Sequence, residues 1–335
     1  MSLCSLSLIA SFVACDSKSN DRDQDPVAEV PADDLEDDGT GDGTDDSLSG
    51  LDITNAIFEK RSSDCKDYIG EYYATVTDKA TNTVFNSKIT MSDDGDTCSF
   101  SSNSIPNHDF NDGSKAFVNK TKEVNETFSL IAEPTVADSS TSLTLDYDNG
   151  IFLNGAKLDV LAAACYGVGN AALGKEKVGC NDMSLPWRYD PMYSGNTFST
   201  DTHNAHTQPD GAYHYHGSPA AMWDDSGSKA SPVIGFAADG FPIYGPWIDD
   251  NGSIRKVKSG YTVKSGSRSS QTGEGAFPGG DYDGTFRDDY EYTSAGDLDE
   301  CNGMTKDGSY GYYVTDSFPY VIGCFTGTPH LSFKK

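Results

Sequence analysis

From about residue 51 onward, apolar and polar residues alternate in short runs, as in Tyr72-Tyr73-Ala74-Thr75-Val76-Thr77 and Ser142-Leu143-Thr144-Leu145-Asp146-Tyr147, and Gly, Asn and Asp punctuate them. A period of two sends successive side chains to opposite faces of an extended chain, so these runs read as half-exposed strands joined by turns. The 34 glycines and 14 prolines leave little room for long helices. Two short helical candidates remain, near Leu51 to Lys60 and near Leu158 to Cys165. The expected fold is mainly β, a loop-rich, sandwich-like or multi-sheet domain with few short helices and disulfides that pin its loops.

The disulfides follow from the start of the chain. Residues 1–15 form an apolar run that ends in Phe12-Val13-Ala14-Cys15. That ending resembles a lipobox, the signal-peptidase site of bacterial lipoproteins, with Cys15 as the lipidated residue. A secretory signal carries Lys or Arg ahead of its apolar run; none precedes this one, so the true start is expected upstream. The run is too short to span a bilayer. Export implies an oxidising compartment. Without Cys4 and Cys15, six cysteines remain, and proximity suggests Cys65–Cys98, Cys165–Cys180 and Cys301–Cys324 among the fifteen connectivities that six cysteines allow. None has the CxxC spacing of a zinc knuckle or a redox motif.

Charge separates tether from domain. Residues 16–50 hold 13 acids against Lys18 and Arg22, a net charge of -11 out of -28, and have few apolar groups to bury. Such a segment cannot offset its ordering entropy and reads as a solvated spacer. Its Asp-Gly runs fit no calcium-loop pattern. The remaining -17 on residues 51–335 argues against nucleic acid and anionic surfaces as partners, which leaves the lipid membrane, through Cys15 alone, as the expected partner. The expected organisation is a signal over 1–15, a tether over 16–50, a β-rich segment over 51–104 and a second unit over 105–330. The protein is expected to be extracytoplasmic and lipid-anchored.

Within the second unit the sequence echoes itself. Asn204 to His216 contains Asp-Gly-Ala-Tyr-His-Tyr-His, and Asn302 to Tyr313 contains Asp-Gly-Ser-Tyr-Gly-Tyr-Tyr. Downstream, Pro232-Val233-Ile234-Gly235-Phe236 resembles Pro319-Tyr320-Val321-Ile322-Gly323-Cys324, which supports a degenerate structural repeat. On a strand Tyr213 and Tyr215 share one face, while His214 and His216 share the other. The second copy keeps tyrosines at 310 and 312 but has Gly311 and Tyr313 at the histidine positions. The tyrosine face therefore reads as packing, and the histidine face as a speciality of the first copy.

Four of the six histidines fall between His203 and His216. His214 and His216 sit about 7 Å apart along one face, close enough for both rings to converge on an ion. A Pro209-Asp210-Gly211 turn can fold His206 back beside them. Three neutral imidazoles suit zinc or copper, and an open fourth position permits chemistry on water. His108, a lone loop histidine between turn signals, is a candidate to close over the site. Asp239, in the expected turn of a hairpin over Val233 to Pro246, is a candidate base. Arg188, in Pro186-Trp-Arg-Tyr-Asp-Pro191, is a candidate to orient an anionic substrate. There is no Gly-x-Ser-x-Gly elbow, phosphate loop, His-Glu-x-x-His or dinucleotide fingerprint.

Tyr213-His-Tyr-His216-Gly-Ser-Pro219, the Asn204-Ala-His206 stretch before it and Gly235-Phe-Ala-Ala-Asp-Gly-Phe-Pro-Ile-Tyr-Gly245 after it resemble the YHYH-domain family of exported proteins. The resemblance runs from about Ile105 to Gly327 and includes Asp283-Gly-Thr-Phe-Arg-Asp-Asp289 and Leu298-Asp-Glu-Cys-Asn-Gly303. It implies a domain rather than an activity. Three readings follow: a domain that binds zinc or copper through His206, His214 and His216; a metal-dependent hydrolase in which Asp239 or His108 is the base and Arg188 orients the substrate; or a metal-free adhesion or matrix module.

Overall fold

The computed structural model describes residues 48–169, 179–195 and 198–335; the lipobox-like run, Cys15 and the tether up to residue 47 lie outside the described residues. Among the described residues no helix is long and apolar enough to cross a membrane, and the helical turns are 3-10, such as Cys65–Tyr68. The architecture is mainly β.

Strands β1 (Leu51–Asp52), β2 (Gly70–Asp78), β3 (Thr83–Asp94), β4 (Thr97–Ser102) and β5 (Glu126–Ile131) form one sheet in sequential order. The alternation expected from sequence is realised here: Ala74 and Val76, Ile89 and Met91, and Cys98 and Phe100 are buried while their neighbours are more open. After β6 (Thr141–Ser142) come β7 (Gly150–Phe152), β8 (Lys157–Leu158), β9 (Ala205–Thr207), β10 (Tyr213–Tyr215), β11 (Val233–Ala237) and β12 (Pro242–Tyr244). Next follow β13 (Trp247–Asp250), β14 (Ser253–Lys256), β15 (Tyr261–Val263), β16 (Tyr290–Tyr292), β17 (Gly303–Lys306), β18 (Ser309–Tyr313) and β19 (Cys324–Phe325). Eight of these make a second sheet, and β13–β14, β15–β16 and β6–β19 are two-stranded ribbons.

The second sheet has the order β17-β18-β12-β11-β7-β8-β10-β9. If β7, β8, β9 and β10 are matched with β11, β12, β17 and β18, the order is a palindrome. The pairings match as well. The hairpins β7–β8 and β11–β12 are antiparallel, β10 runs parallel to β8 as β18 does to β12, and β9–β10 matches β17–β18. Registers agree residue by residue: Leu158 faces Tyr215 as Ile243 faces Tyr312, and His206 faces His214 as Met304 faces Gly311. The two halves meet antiparallel at β7–β11, where Ile151 faces Phe236. The repeat is real, with one correction. The counterpart of Val233–Ala237 is β7, upstream, and not Pro319–Cys324, which is irregular apart from the start of β19.

Both helical candidates are corrected. Leu51–Asp52 is strand, Asp52 caps Thr54 through its side chain, and Asn55 takes a positive φ of 55°, which ends any helix there. In the second, Leu158 lies in β8 and the backbone beyond it is claimed by distant partners. Val160 N–H donates to the Asn149 side chain, and the Ala163 carbonyl accepts from Gly179 and Cys180. Long-range hydrogen bonds outcompete weak local propensity. The Ser142–Tyr147 run keeps ladder pairing at Ser142, turns at Thr144 to Tyr147 and makes one isolated bridge from Tyr147 to Lys334. The three disulfides, Cys65–Cys98, Cys165–Cys180 and Cys301–Cys324, are those suggested by proximity.

The two large sheets share one core, in which Tyr68 lies edge-on to Phe236 at 5.6 Å. The seam between the halves admits no side chain at two related positions. A Cβ on Gly150 would lie 2.7 Å from the Phe236 carbonyl oxygen, and one on Gly235 would lie 2.6 Å from that of Ile151. Gly150→Ala and Gly235→Ala should therefore each destabilise the protein by about 1–3 kcal/mol through overpacking. Gly275→Ala, with nothing within 4 Å of its Cβ, should be nearly neutral. Urea denaturation of the three variants checks this.

Candidate metal centre

The β9–β10 hairpin builds the centre. Gln208 to Ala212 close its turn, with Gly211 N–H on the Gln208 carbonyl and Ala212 N–H on the Asp210 side chain, and Gly211 at a φ of 103°. The turn puts His206 directly opposite His214. His216, one step beyond β10, donates its N–H to the Asn204 carbonyl, which keeps the chain extended. His206, His214 and His216 thus converge on one face of the sheet edge, His214 and His216 buried and His206 half-buried.

Their Nε2 atoms meet. His214 Nε2 is 3.1 Å from His216 Nε2, which is 3.0 Å from His206 Nε2. Three nitrogens at zinc-bond lengths around a tetrahedral ion stand about 3.4 Å apart, so the triangle needs only a small expansion. His206 Nδ1 lies 2.6 Å from the Phe198 carbonyl. A carbonyl can only accept, so this contact puts the proton on Nδ1 and leaves Nε2 as a bare lone pair. His216 Nε2 faces two nitrogens at once, and one N–H can satisfy only one of them. Nδ1 of His214 is buried without a hydrogen-bond partner. A cation at the centre of the triangle would satisfy all three lone pairs.

The electrostatics favour neutral rings. Burial pushes the His214 pKa well below the ordinary histidine value, and His216, His206, Lys157 and Lys335 add to the effect. Burial and His206 push His216 the same way, against the Asp159 backbone. Burial lowers His206 too, opposed by the Phe198 carbonyl. Neutral imidazole is the ligand form.

The other sequence candidates lie elsewhere. Tyr213 and Tyr215 point to the opposite face, and His108 is there with them: its Nε2 is 2.5 Å from the Tyr215 hydroxyl and its Nδ1 is 2.7 Å from the Asp109 carbonyl. His203 lies against His108 with ring centroids 3.8 Å apart and planes tilted by 33°. Asp239 sits in the β11–β12 turn, where its carboxylate accepts from the Tyr312 hydroxyl at 2.5 Å and from Gly327 N–H at 2.9 Å. In the other half Asn154 holds the Tyr215 hydroxyl at 2.9 Å, so Asp239 and Asn154 are equivalent anchors of a buried tyrosine. Arg188 donates to the carbonyls of Ala162, Cys180 and Asp182 and clamps the loop closed by Cys165–Cys180. None of the three is brought to the histidine face.

The repeat carries no second centre. His206, His214 and His216 correspond to Met304, Gly311 and Tyr313, and a Cβ on Gly311 would fall 2.6 Å from the Tyr244 ring, which stacks on Tyr313 at 5.0 Å. Aromatic packing fills the place of the histidines. Apart from the triad, the described residues offer one other chelating group, Glu300 with Cys301 and Cys324, whose thiols are spent in a disulfide.

Sequence reasoning missed Lys157 and Asp159. Lys157 on β8 pairs with His214 in the ladder, Asp159 follows the strand and donates its N–H to the Tyr215 carbonyl, and both join Asp148, Glu126 and Lys335 in an ionic cluster whose Lys157, Asp148 and Asp159 are buried. Their alternation with Leu158 was visible, but the pairing of β8 with β10 was not.

This is a β-sheet protein with a three-histidine centre on the edge hairpin of a pseudo-symmetric sheet. The family model described as YHYH protein matches residues 127–327, more than half of the chain, and the chain belongs to that family. The match begins at β5, later than the resemblance read from Ile105. Neither a curated protein nor a solved structure matches the chain.

Burial holds the His108 pKa at about 3, below its ordinary 6.5, with His203 adding to the effect. The unfolded chain takes up this proton below about pH 6.5 and the native fold refuses it until about pH 3. Native stability is therefore full above 6.5 and falls as pH drops through that window, by at most about 1.4 kcal/mol per unit. His108→Gln, which cannot take up the proton, should lose this contribution to the slope, so its stability deficit against the parent shrinks between pH 7 and pH 4. Denaturant midpoints at each pH test this; a constant deficit contradicts it.

Proposed function

We propose that this YHYH protein is an extracytoplasmic lipoprotein, anchored to a bacterial membrane through Cys15, whose His206, His214 and His216 hold a zinc or copper ion. The single observation that supports this most is the convergence of three Nε2 atoms at 3.0–3.1 Å contacts with the His206 proton turned away onto the Phe198 carbonyl. The YHYH family assignment and the three disulfides are consistent with an extracytoplasmic setting. Three protein ligands leave a fourth position for water or a substrate atom. A hydrolase reading draws no support from His108, Asp239 or Arg188, each tied into structural hydrogen bonds, so capture or sensing of the metal is the preferred role.

Elemental mass spectrometry on the exported protein, beside the His214→Ala/His216→Ala double variant, is the test. The expected result is close to one zinc or copper per chain in the parent and none in the double variant, because the repeat supplies no second site. The absence of metal from both proteins after reconstitution would leave the metal-free adhesive module. Chelation should also lower the thermal midpoint of the parent, since a ligand that binds only the native state stabilises it, and should leave that of the double variant unchanged.

A further inference from the structure

A groove of about 440 Å³ adjoins the histidine face. Its wall at Met192 packs on Gly217, the residue after His216, so closely that a Cβ there would lie 2.6 Å from the Met192 sulfur. The same wall runs on through Tyr193 and Ser194, and the opposite side is formed by Asp283, Thr285, Tyr290 and Tyr320. Five of these six side chains carry hydroxyls and the sixth is a carboxylate.

The groove is built rather than incidental. Behind it lies Asp190, 1% exposed, tied to both walls by its own N–H on the Thr285 carbonyl and by Met192 N–H on its side chain. Its Oδ2 makes no hydrogen bond and lies 3.7 Å from Arg287. Burial raises the pKa of Tyr290 and of Tyr320, and the nearby Asp190 adds to it; their hydroxyls bond each other, and that of Tyr290 also reaches the Gly284 carbonyl. Asp283 is held in place by Thr285 N–H at 2.9 Å and by Arg268 at 2.5 Å. Burial works against its ionisation, but these contacts hold its pKa below the ordinary carboxylate value. One exposed carboxylate can accept from two neighbouring ligand hydroxyls, and tyrosine rings offer faces and edges to ligand C–H groups. The net charge of -28 opposes anions.

We propose that this groove binds a neutral, hydroxyl-rich ligand of the saccharide type, with Asp283, Thr285 and Ser194 hydrogen-bonding its hydroxyls and Tyr193, Tyr290 and Tyr320 lining its apolar face. The site adjoins the metal centre but does not depend on it, so its failure and failure of the metal reading are separable.

The test is calorimetric titration of the full chain, metal-loaded and chelated, with cellotetraose, maltotetraose and chitotetraose, and with an alginate tetrasaccharide and choline as anionic and cationic comparisons. At least one neutral sugar should bind in both metal states. Asp283→Asn should weaken that binding about tenfold, the loss expected when one well-placed hydrogen bond is removed, and Tyr320→Ala, which takes a ring from the apolar face, should weaken it as well, with thermal midpoints confirming that each variant is folded. Binding of none of the three neutral sugars, binding of choline or alginate in preference, or unchanged affinity in both variants would overturn the proposal.

Discussion

The backbone hydrogen bonds that hold β10 between β8 and β9 decide what this domain can do. They pair Tyr215 with Leu158 on one side and with Ala205 on the other, which fixes the tyrosines toward the core and the histidines toward the sheet edge. A slip of one residue would exchange the two faces, burying His214 and His216 where Tyr213 and Tyr215 now pack and leaving the tyrosine hydroxyls without Asp201 and Asn154. The cost of misplacing two large aromatic residues and two polar rings makes the register, and with it the histidine cluster, a consequence of the core.

Pseudo-symmetry supplies an internal control. Both halves bury a tyrosine, Tyr215 in β10 and Tyr312 in β18, and satisfy its hydroxyl from the turn of the adjacent hairpin, through Asn154 in one and Asp239 in the other. Both also anchor the edge hairpin with an aspartate, Asp201 to Tyr213 and Asp299 to Tyr310, each at 2.9 Å. What differs is the outer face: imidazoles in the first half, and Met304, Gly311 and Tyr313 in the second. The shared parts are scaffold, and the histidine cluster is confined to the unshared part.

Much of this was legible in the sequence, and the gaps have physical causes. The alternation in β2–β4, the Asp239-Gly240 turn, the split of tyrosine and histidine faces, the three disulfides and the His206 fold-back all depend on local rules. The hairpin of β11 and β12 was legible from its Asp-Gly turn, but β7 did not show, because it is short and buried throughout and carries no polar alternation to read. The partner of Val233–Ala237 was sought downstream for the same reason, since the apolar run at Pro319 resembles it in composition while β7 resembles it in register. The roles assigned to His108, Asp239 and Arg188 failed to reach the centre because residue type alone does not report which face a loop residue serves.

The most direct measurement is X-ray absorption at the zinc or copper edge of the reconstituted protein. The account predicts three imidazole nitrogens at about 2.0–2.1 Å for zinc, with one further light atom. A first shell containing sulfur, or one with oxygen only and no imidazole scattering, would contradict it and separate the metal from the hairpin that defines the domain.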